Sequence, residues 1–243
     1  MLKPTLKRLI NSTLALFGYR VIRTPLNRVG GIDLFSDIAY LVKSETPTCI
    51  DVGANVGQTI DALLDTFSNP LIHSFEPSLK TFQTLQRKPY AGRVVLHNLA
   101  LGSAPAEREF INYKSSVLSS FLPLDPGHQN RFRDVSEVGR ENVQLSTVDC
   151  FLAEERIISV DLLKIDTQGF DLEVLRGAHK SLTDGRIQYV LVEINFVGMY
   201  QGQSSAAEVT QELETAGFRL IDYYEKVREQ GRLAWCTALF GRS

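Results

Sequence analysis

Apolar and polar positions in this chain alternate between two periods, and from Gly30 onward the switches recur regularly. Thr48 to Val52 is a short apolar run leading into a glycine turn, the pattern of a buried strand. Thr59 to Phe67 then places Ile60, Leu63, Leu64 and Phe67 at the i, i+3, i+4, i+7 spacing of a helix face. A second strand follows at Leu71 to Phe75, then a helix opened by Ser78 with Leu79, Phe82 and Leu85 on one side, then a third strand from Val94. Further strands are predicted at Glu107 to Tyr113, Val143 to Asp149, Leu162 to Asp166 and Tyr189 to Ile194. Helices are predicted over Ile32 to Val42, Phe170 to Leu182 and Ala206 to Ala216. Phe218 to Tyr224 and Ala234 to Phe240 close the pattern as a β-hairpin turning near Gly231. Strands separated by helices in this order predict an α/β fold, a parallel sheet with helices on both faces.

Two segments break the alternation. Residues 114–142 carry Ser115, Ser116, Ser119, Ser120, two prolines, Gly127 and the polar group His128, Gln129, Asn130, Arg131 and Arg133 without a period. An irregular stretch of that length in a compact domain is a lid or substrate loop, or a mobile excursion. Residues 1–32 hold Lys3, Lys7, Arg8, Arg20, Arg23 and Arg28 and no acid, so this segment carries +6 and the rest of the chain −8. Leu6, Leu9, Ile10, Leu14 and Phe17 give it an apolar stripe between Pro4 and Gly18. Such a basic amphipathic helix packs on its own domain, on a second subunit in a homo-oligomer, or through residues 1–25 on an anionic membrane surface. The predicted division is therefore 1–46, a basic helix and a lead-in helix, and 47–243, the α/β domain.

Composition adds limits. With 44% hydrophobic and 22% charged residues, the chain has the balance of a globular domain with a sizeable core. A net charge of −2 gives no reason to expect a nucleic-acid partner. Cys49, Cys150 and Cys236 are odd in number and far apart, which suits buried free thiols in a reducing compartment. No apolar run approaches a membrane span and no signal-peptide cleavage site is evident. The expected location is the cytoplasm, with the inner face of the membrane open to the N-terminal helix.

The first strand–loop–helix unit carries the chemistry. Asp51-Val52-Gly53-Ala54-Asn55-Val56-Gly57 has the form of a nucleotide loop, yet lacks the Gly-x-Gly-x-x-Gly dinucleotide spacing and the Lys-Ser/Thr of a P-loop. Its leading acid is unfavourable beside a pyrophosphate and useful beside an ammonium. Glu76, at the end of the second strand, suits the two hydroxyls of a ribose. A glycine loop without phosphate chemistry, with an acid before it and a ribose acid after it, points to S-adenosylmethionine.

The chain resembles FkbM-type S-adenosylmethionine-dependent methyltransferases from about Pro47 to its end. Four stretches carry the resemblance: the loop Asp51 to Gly57, Phe75-Glu76-Pro77, His97-Asn98-Leu99-Ala100-Leu101-Gly102, and Leu163-Lys164-Ile165-Asp166-Thr167-Gln168-Gly169-Phe170-Asp171 with Leu175-Arg176-Gly177-Ala178. In the last, Gln168 stands where the family has an acid and Asp171 where it has a longer one. The resemblance implies a Rossmann-like seven-stranded sheet of order 3-2-1-4-5-7-6 with the last strand antiparallel. It also implies O-methylation, often of a sugar hydroxyl in a glycan, glycolipid or secondary metabolite. Asp51, Gly53, Ala54, Asn55 and Gly57 would then cradle the methionine end, Glu76 the ribose, and Asn98 to Ala100 the adenine, with Asp166 at the same rim.

Methyl transfer to a sugar hydroxyl needs an aligned acceptor and a group that removes its proton. The candidates are Asp166, Asp171 and Glu193, each with a structural alternative: cofactor binding, stabilisation of a helix N-terminus, or pairing with a buried base. Asp166, Glu193 and Asn195 also make a possible oxygen-ligand Mg²⁺ set. Among the histidines, His73 reads as packed and His179 as exposed, His97 lies near the cofactor edge, and His128 beside Arg131 is best placed for substrate. Tyr200 is a candidate lining residue of the acceptor pocket. The rival readings are a non-catalytic scaffold that binds the cofactor in a glycan assembly complex, and a methyltransferase of a small-molecule or lipid hydroxyl.

Overall fold

The structure is a computed structural model that describes residues 13, 14, 16, 28–90, 92–127 and 134–242. The basic N-terminal helix and residues 128–133, with His128 and Arg131, fall outside the described residues apart from Thr13, Leu14 and Leu16. The chain enters through helix α1 (Leu34–Leu41), capped by the Asp33 carboxylate on the Ser36 N–H. Three parallel strands follow, β1 (Thr48–Val52), β2 (Leu71–Phe75) and β3 (Val94–His97), with α2 (Gln58–Thr66) and α3 (Leu79–Leu85) between them. After a second, smaller sheet come α4 (Val148–Glu154), β7 (Val160–Ile165), α5 (Asp171–Gly177), α6 (His179–Thr183), β8 (Ile187–Asn195) and α7 (Ala206–Thr215). The hairpin β9 (Phe218–Glu229) and β10 (Arg232–Arg242) ends the chain.

The large sheet has the order β3-β2-β1-β7-β8-β10-β9, parallel except where β10 meets β8 and β9 antiparallel. Counted among its own strands this is 3-2-1-4-5-7-6. Side-chain alternation divides the core between its faces. Ile50, Val52, Leu163, Ile165 and Val192 pack with Phe151, Leu175, Leu182 and Leu213 of α4–α7. Cys49, Ile72, Leu162, Leu191 and Leu239 pack with Leu34, Ile60, Leu63 and Leu85 of α1–α3. Helices therefore cover both faces, and at about 25 cal/mol per Å² of apolar area these two clusters are the main stabilising force.

The smaller sheet, β4 (Ala100–Leu101), β6 (Glu137–Ser146) and β5 (Ala106–Tyr113), is where sequence and structure part. Strand β6 begins six residues before the predicted Val143. Its first half, Glu137 to Asn142, is almost wholly exposed, so no alternation marks it. The expected irregular stretch instead contains a 3-10 turn at Ser116–Leu118 and a strap beyond it, held to β5 by the paired backbone bonds of Ile111 and Ser120. The single helix predicted over Phe170 to Leu182 is two. Gly177 lies so close to the Gly102 carbonyl that an added Cβ would fall 1.9 Å from its oxygen, and the chain turns at Ala178. Cys49 and Cys236 are buried and Cys150 half-buried, all as free thiols. Among the described residues no helix is long and apolar enough to cross a membrane.

Candidate active site

The carboxyl ends of β1, β2, β7 and β8 open onto a cavity of about 420 Å³. Its floor follows from strand register. Asp51 stands opposite Ser74 of β2 and opposite Lys164 of β7, Lys164 opposite Leu191 of β8, and Glu193 opposite Thr237 of β10. Period-two alternation puts Asp51, Lys164, Asp166, Glu193 and Thr237 on one face, in a row of polar groups at the strand ends.

Asp51 is fully buried, with Lys164 Nζ 3.0 Å from Oδ1 and the Ser74 hydroxyl donating to Oδ2 at 3.1 Å. It does not line the cavity. The lysine also donates to the Gly53 carbonyl at 2.9 Å and lies 3.9 Å from Asp166. Burial works to lower the Lys164 pKa, but Asp51 and Asp166 outweigh it and raise it, so the ammonium is retained. This lysine is a residue that sequence reasoning missed. A charge inside the apolar run Leu162-Leu163-Lys164-Ile165 was the available signal, because a buried lysine requires a partner.

One wall is the glycine loop. Gly53 has φ +85, and a Cβ there would fall 2.0 Å from the Asp166 carbonyl oxygen, so only glycine lets β1 and β7 end this close together. Ala54 and Asn55 line the cavity beside it, whereas Gly57 caps α2 behind the loop with φ +91. Glu76 accepts the Asn55 N–H at 2.8 Å and the Ser78 N–H at 3.0 Å. Burial pushes its pKa up to about 7 against these two bonds. Ala100, with Leu99 and Leu101, continues the wall. Asn98 does not, and its amide instead ties down the Glu76 and Pro77 carbonyls.

Asp166 and Glu193 also line the cavity. Each is held by an amide two residues further on: Gln168 Nε2 donates to Asp166 Oδ1 at 2.7 Å, and Asn195 Nδ2 to Glu193 Oε1 at 3.1 Å. Burial, then the nearby Asp166 and Asp171, raises the Glu193 pKa well above the usual carboxylate range. Asp171 lies elsewhere. It is 2% exposed and accepts the Thr167 N–H and hydroxyl and the Gly169 N–H, fixing the turn after β7, and burial pushes its pKa up to about 6. Tyr200 is buried behind this turn, its hydroxyl shared between the Leu118 carbonyl and Gln168 Oε1 at 3.0 Å each.

The roof comes from segments without a periodic signal. Ser116, Val117, Ser119 and Phe121 of the strap line the cavity, and the Ser116 hydroxyl reaches Asn55 Oδ1 at 2.9 Å. Glu225 and Thr237 of the terminal hairpin, bonded to each other at 2.8 Å, line its far end. His73 and His97 pair with each other at 3.2 Å without lining the cavity, His97 stacks on Phe75 and meets Phe151 edge-on, and burial lowers the His97 pKa to about 4. Asn195 points its amide donor at Glu193, and among the described residues no group of three His, Cys, Asp or Glu is arranged to hold a metal ion. The Mg²⁺ alternative finds no support.

Comparison with known proteins gives this arrangement a context. The chain is 22% identical over 189 residues to the 2-O-methyltransferase NoeI of Sinorhizobium fredii, covering 75% of this chain and 76% of that one. It is 27% identical over 149 residues to the hexuronic acid methyltransferase AglP of Haloferax volcanii, covering 60% and 54%. A solved FkbM methyltransferase from Methylobacillus flagellatus, 14% identical, superposes with a TM-score of 0.54 over 81% of this chain and shares its fold. The present chain spans 44% of the length of that protein. The model of the methyltransferase FkbM domain matches residues 51–220, from the buried acid of the glycine loop into the last hairpin, and the chain belongs to that methyltransferase family.

Proposed function

We propose that the protein is an S-adenosylmethionine-dependent O-methyltransferase whose acceptor is a sugar hydroxyl. The observation that carries this is the division of the cavity's carboxylates: Glu76 bonded to the backbone of the glycine loop, Asp166 and Glu193 at the carboxyl ends of β7 and β8 and each bonded to one side-chain amide. The residues fit the cofactor. The volume is in the range of small-molecule sites. Gly53, Ala54 and Asn55 line the cavity, and Glu76 is a buried acceptor at the end of the second strand, where a ribose is held in folds of this type. Gly53, Ala54, Asn55, Glu76 and Ala100 would hold it. Bound there, it supplies a methyl group already activated by a sulfonium.

The protein's remaining work is to place the acceptor oxygen and take its proton. Carboxylates accept hydrogen bonds from hydroxyls, so the Asp166–Glu193 end suits a polyhydroxyl acceptor. Asp166, more open than Glu193 and fixed by Gln168, orients the acceptor hydroxyl. Glu193, whose pKa burial and its acidic neighbours raise above the usual carboxylate range, is the base that accepts that proton. Asp171, spent on the turn, has no part in proton transfer. The Ser116–Asn55 contact ties the strap to the loop. The sugar assignment is supported by the similarity to AglP, a protein named as a hexuronic acid methyltransferase.

The test is incubation of the protein with methyl-labelled S-adenosylmethionine and a panel of glycosides and extracted glycans. Label recovered as an O-methyl sugar is expected. Cofactor binding with no transfer to any hydroxyl acceptor overturns the assignment.

A further inference from the structure

The loop that leaves β7 makes two left-handed turns in succession, Gln168 at φ +55 and Gly169 at φ +89. Glycine adopts that conformation freely, but glutamine does so under strain, and such residues persist where their surroundings hold them. Three bonds hold Gln168. Its backbone carbonyl accepts the Ser120 hydroxyl at 2.7 Å, its Nε2 donates to Asp166 Oδ1 at 2.7 Å, and its Oε1 accepts the Tyr200 hydroxyl at 3.0 Å. Ser120 follows the 3-10 turn of the strap, and Tyr200 also bonds the Leu118 carbonyl within that turn. One side chain thus connects the cavity-facing carboxylate with the segment that roofs the cavity.

We infer that Gln168 is a positioning residue for the acceptor, its amide holding Asp166 Oδ1 and the Tyr200 hydroxyl so that the other oxygen of Asp166 is presented to the reacting hydroxyl in register with the closed strap. This rests on the proposed methyl transfer to a hydroxyl. In this chain the two side-chain contacts call for an amide, where the family has an acid. One end must donate to a carboxylate and the other must accept from a phenol, and glutamine does both at every pH. A glutamate at 168 reproduces the pattern only while it keeps a proton, because an ionised carboxylate has nothing to donate and repels Asp166. The charged and titratable groups around this point are Lys164 on β7, Glu193 on β8, Asp171 on α5, and Tyr200 beside Tyr113. Asn195 and Glu193 repeat the same two-residue spacing on the neighbouring strand, where the amide again donates to the carboxylate that faces the cavity.

The experiment compares the full chain with Gln168→Glu and Gln168→Met across about pH 5.5 to 9, a range that brackets a glutamate raised above its usual value. Gln168→Met lowers kcat by about 100-fold at every pH, the loss expected of a misplaced reacting group, and leaves the KM for S-adenosylmethionine within about twofold. Gln168→Glu retains near-native kcat at the acid end and falls to the Gln168→Met level at the alkaline end. A second readout needs no turnover. The introduced glutamate has a native-state pKa raised above its unfolded value. The stability of Gln168→Glu relative to the native protein is therefore retained below the unfolded pKa of about 4.3 and lost as pH rises through the raised one. A kcat profile of Gln168→Glu that runs parallel to the native one, or a stability difference that does not change with pH, overturns the inference. A native protein that binds cofactor and methylates no hydroxyl defeats the proposed function instead, and the stability measurement still decides the hydrogen-bond role of Gln168.

Discussion

The two ends of the cavity use the same side chain in opposite ways. At the glycine-loop end, Asp51 and Glu76 are turned inward and held by the fold itself, Asp51 by Lys164 and Ser74, Glu76 by the N–H groups of Asn55 and Ser78. At the β7–β8 end, Asp166 and Glu193 line the cavity, each bonded to one amide, with Lys164 3.9 Å from the second oxygen of Asp166. A carboxylate bonded to backbone defines a shape, and a carboxylate held by one amide remains available for chemistry. The proposed function assigns cofactor placement to the first end and reaction to the second.

Removing the reactive oxygen should have the largest effect. Glu193→Gln keeps size and the bond to Asn195 yet cannot take a proton, so kcat should fall by about 10²- to 10⁴-fold in a steady-state assay. On the structural side, Lys164→Met leaves Asp51 buried without its counter-charge and should destabilise the protein by about 3–5 kcal/mol in denaturant unfolding. Adding Asp51→Asn to that variant should recover much of the loss. If the double variant is no more stable than Lys164→Met alone, the pair is not what holds the end of β1.

Glu76 gives a smaller, pH-dependent effect. Its pKa of about 7 lies above that of an unfolded glutamate, so the native state carries the cost of the ionised form as pH rises from about 4.3 through 7. Relative to Glu76→Gln, the native protein should lose stability between about pH 5 and 8, by on the order of 3 kcal/mol in full. Thermal midpoints of the two proteins measured in parallel would show the slope. Ser116→Ala should have the smallest effect. Loss of the exposed latch to Asn55 should weaken cofactor binding by no more than about fivefold, since one such bond contributes about 1 kcal/mol.

The same contrast explains what the sequence could reveal. The large sheet was legible because its central strands β1, β2 and β7 are buried on both faces and read as apolar runs between helical periods. The glycine loop was legible because it is contiguous, and Gly53 is required by a contact that one position determines. The strap and the first half of β6 were not, since Glu137 to Asn142 is solvated almost throughout and the strap is held by single bonds to distant residues. Asp51 illustrates the gap between position and orientation. Its place at the strand end was readable, but its inward turn depends on Lys164 more than 100 residues later. Glu225 and Thr237 reach the cavity only through the sheet order, which brings the last hairpin beside β8.

The division of the cavity is tested most directly by the affinity of S-adenosylhomocysteine, measured by calorimetric titration of Glu76→Ala and Glu193→Gln beside the native protein. Loss of at least about tenfold for Glu76→Ala, with native affinity for Glu193→Gln, is the predicted result. Equal weakening of both, or native affinity in Glu76→Ala, would contradict it.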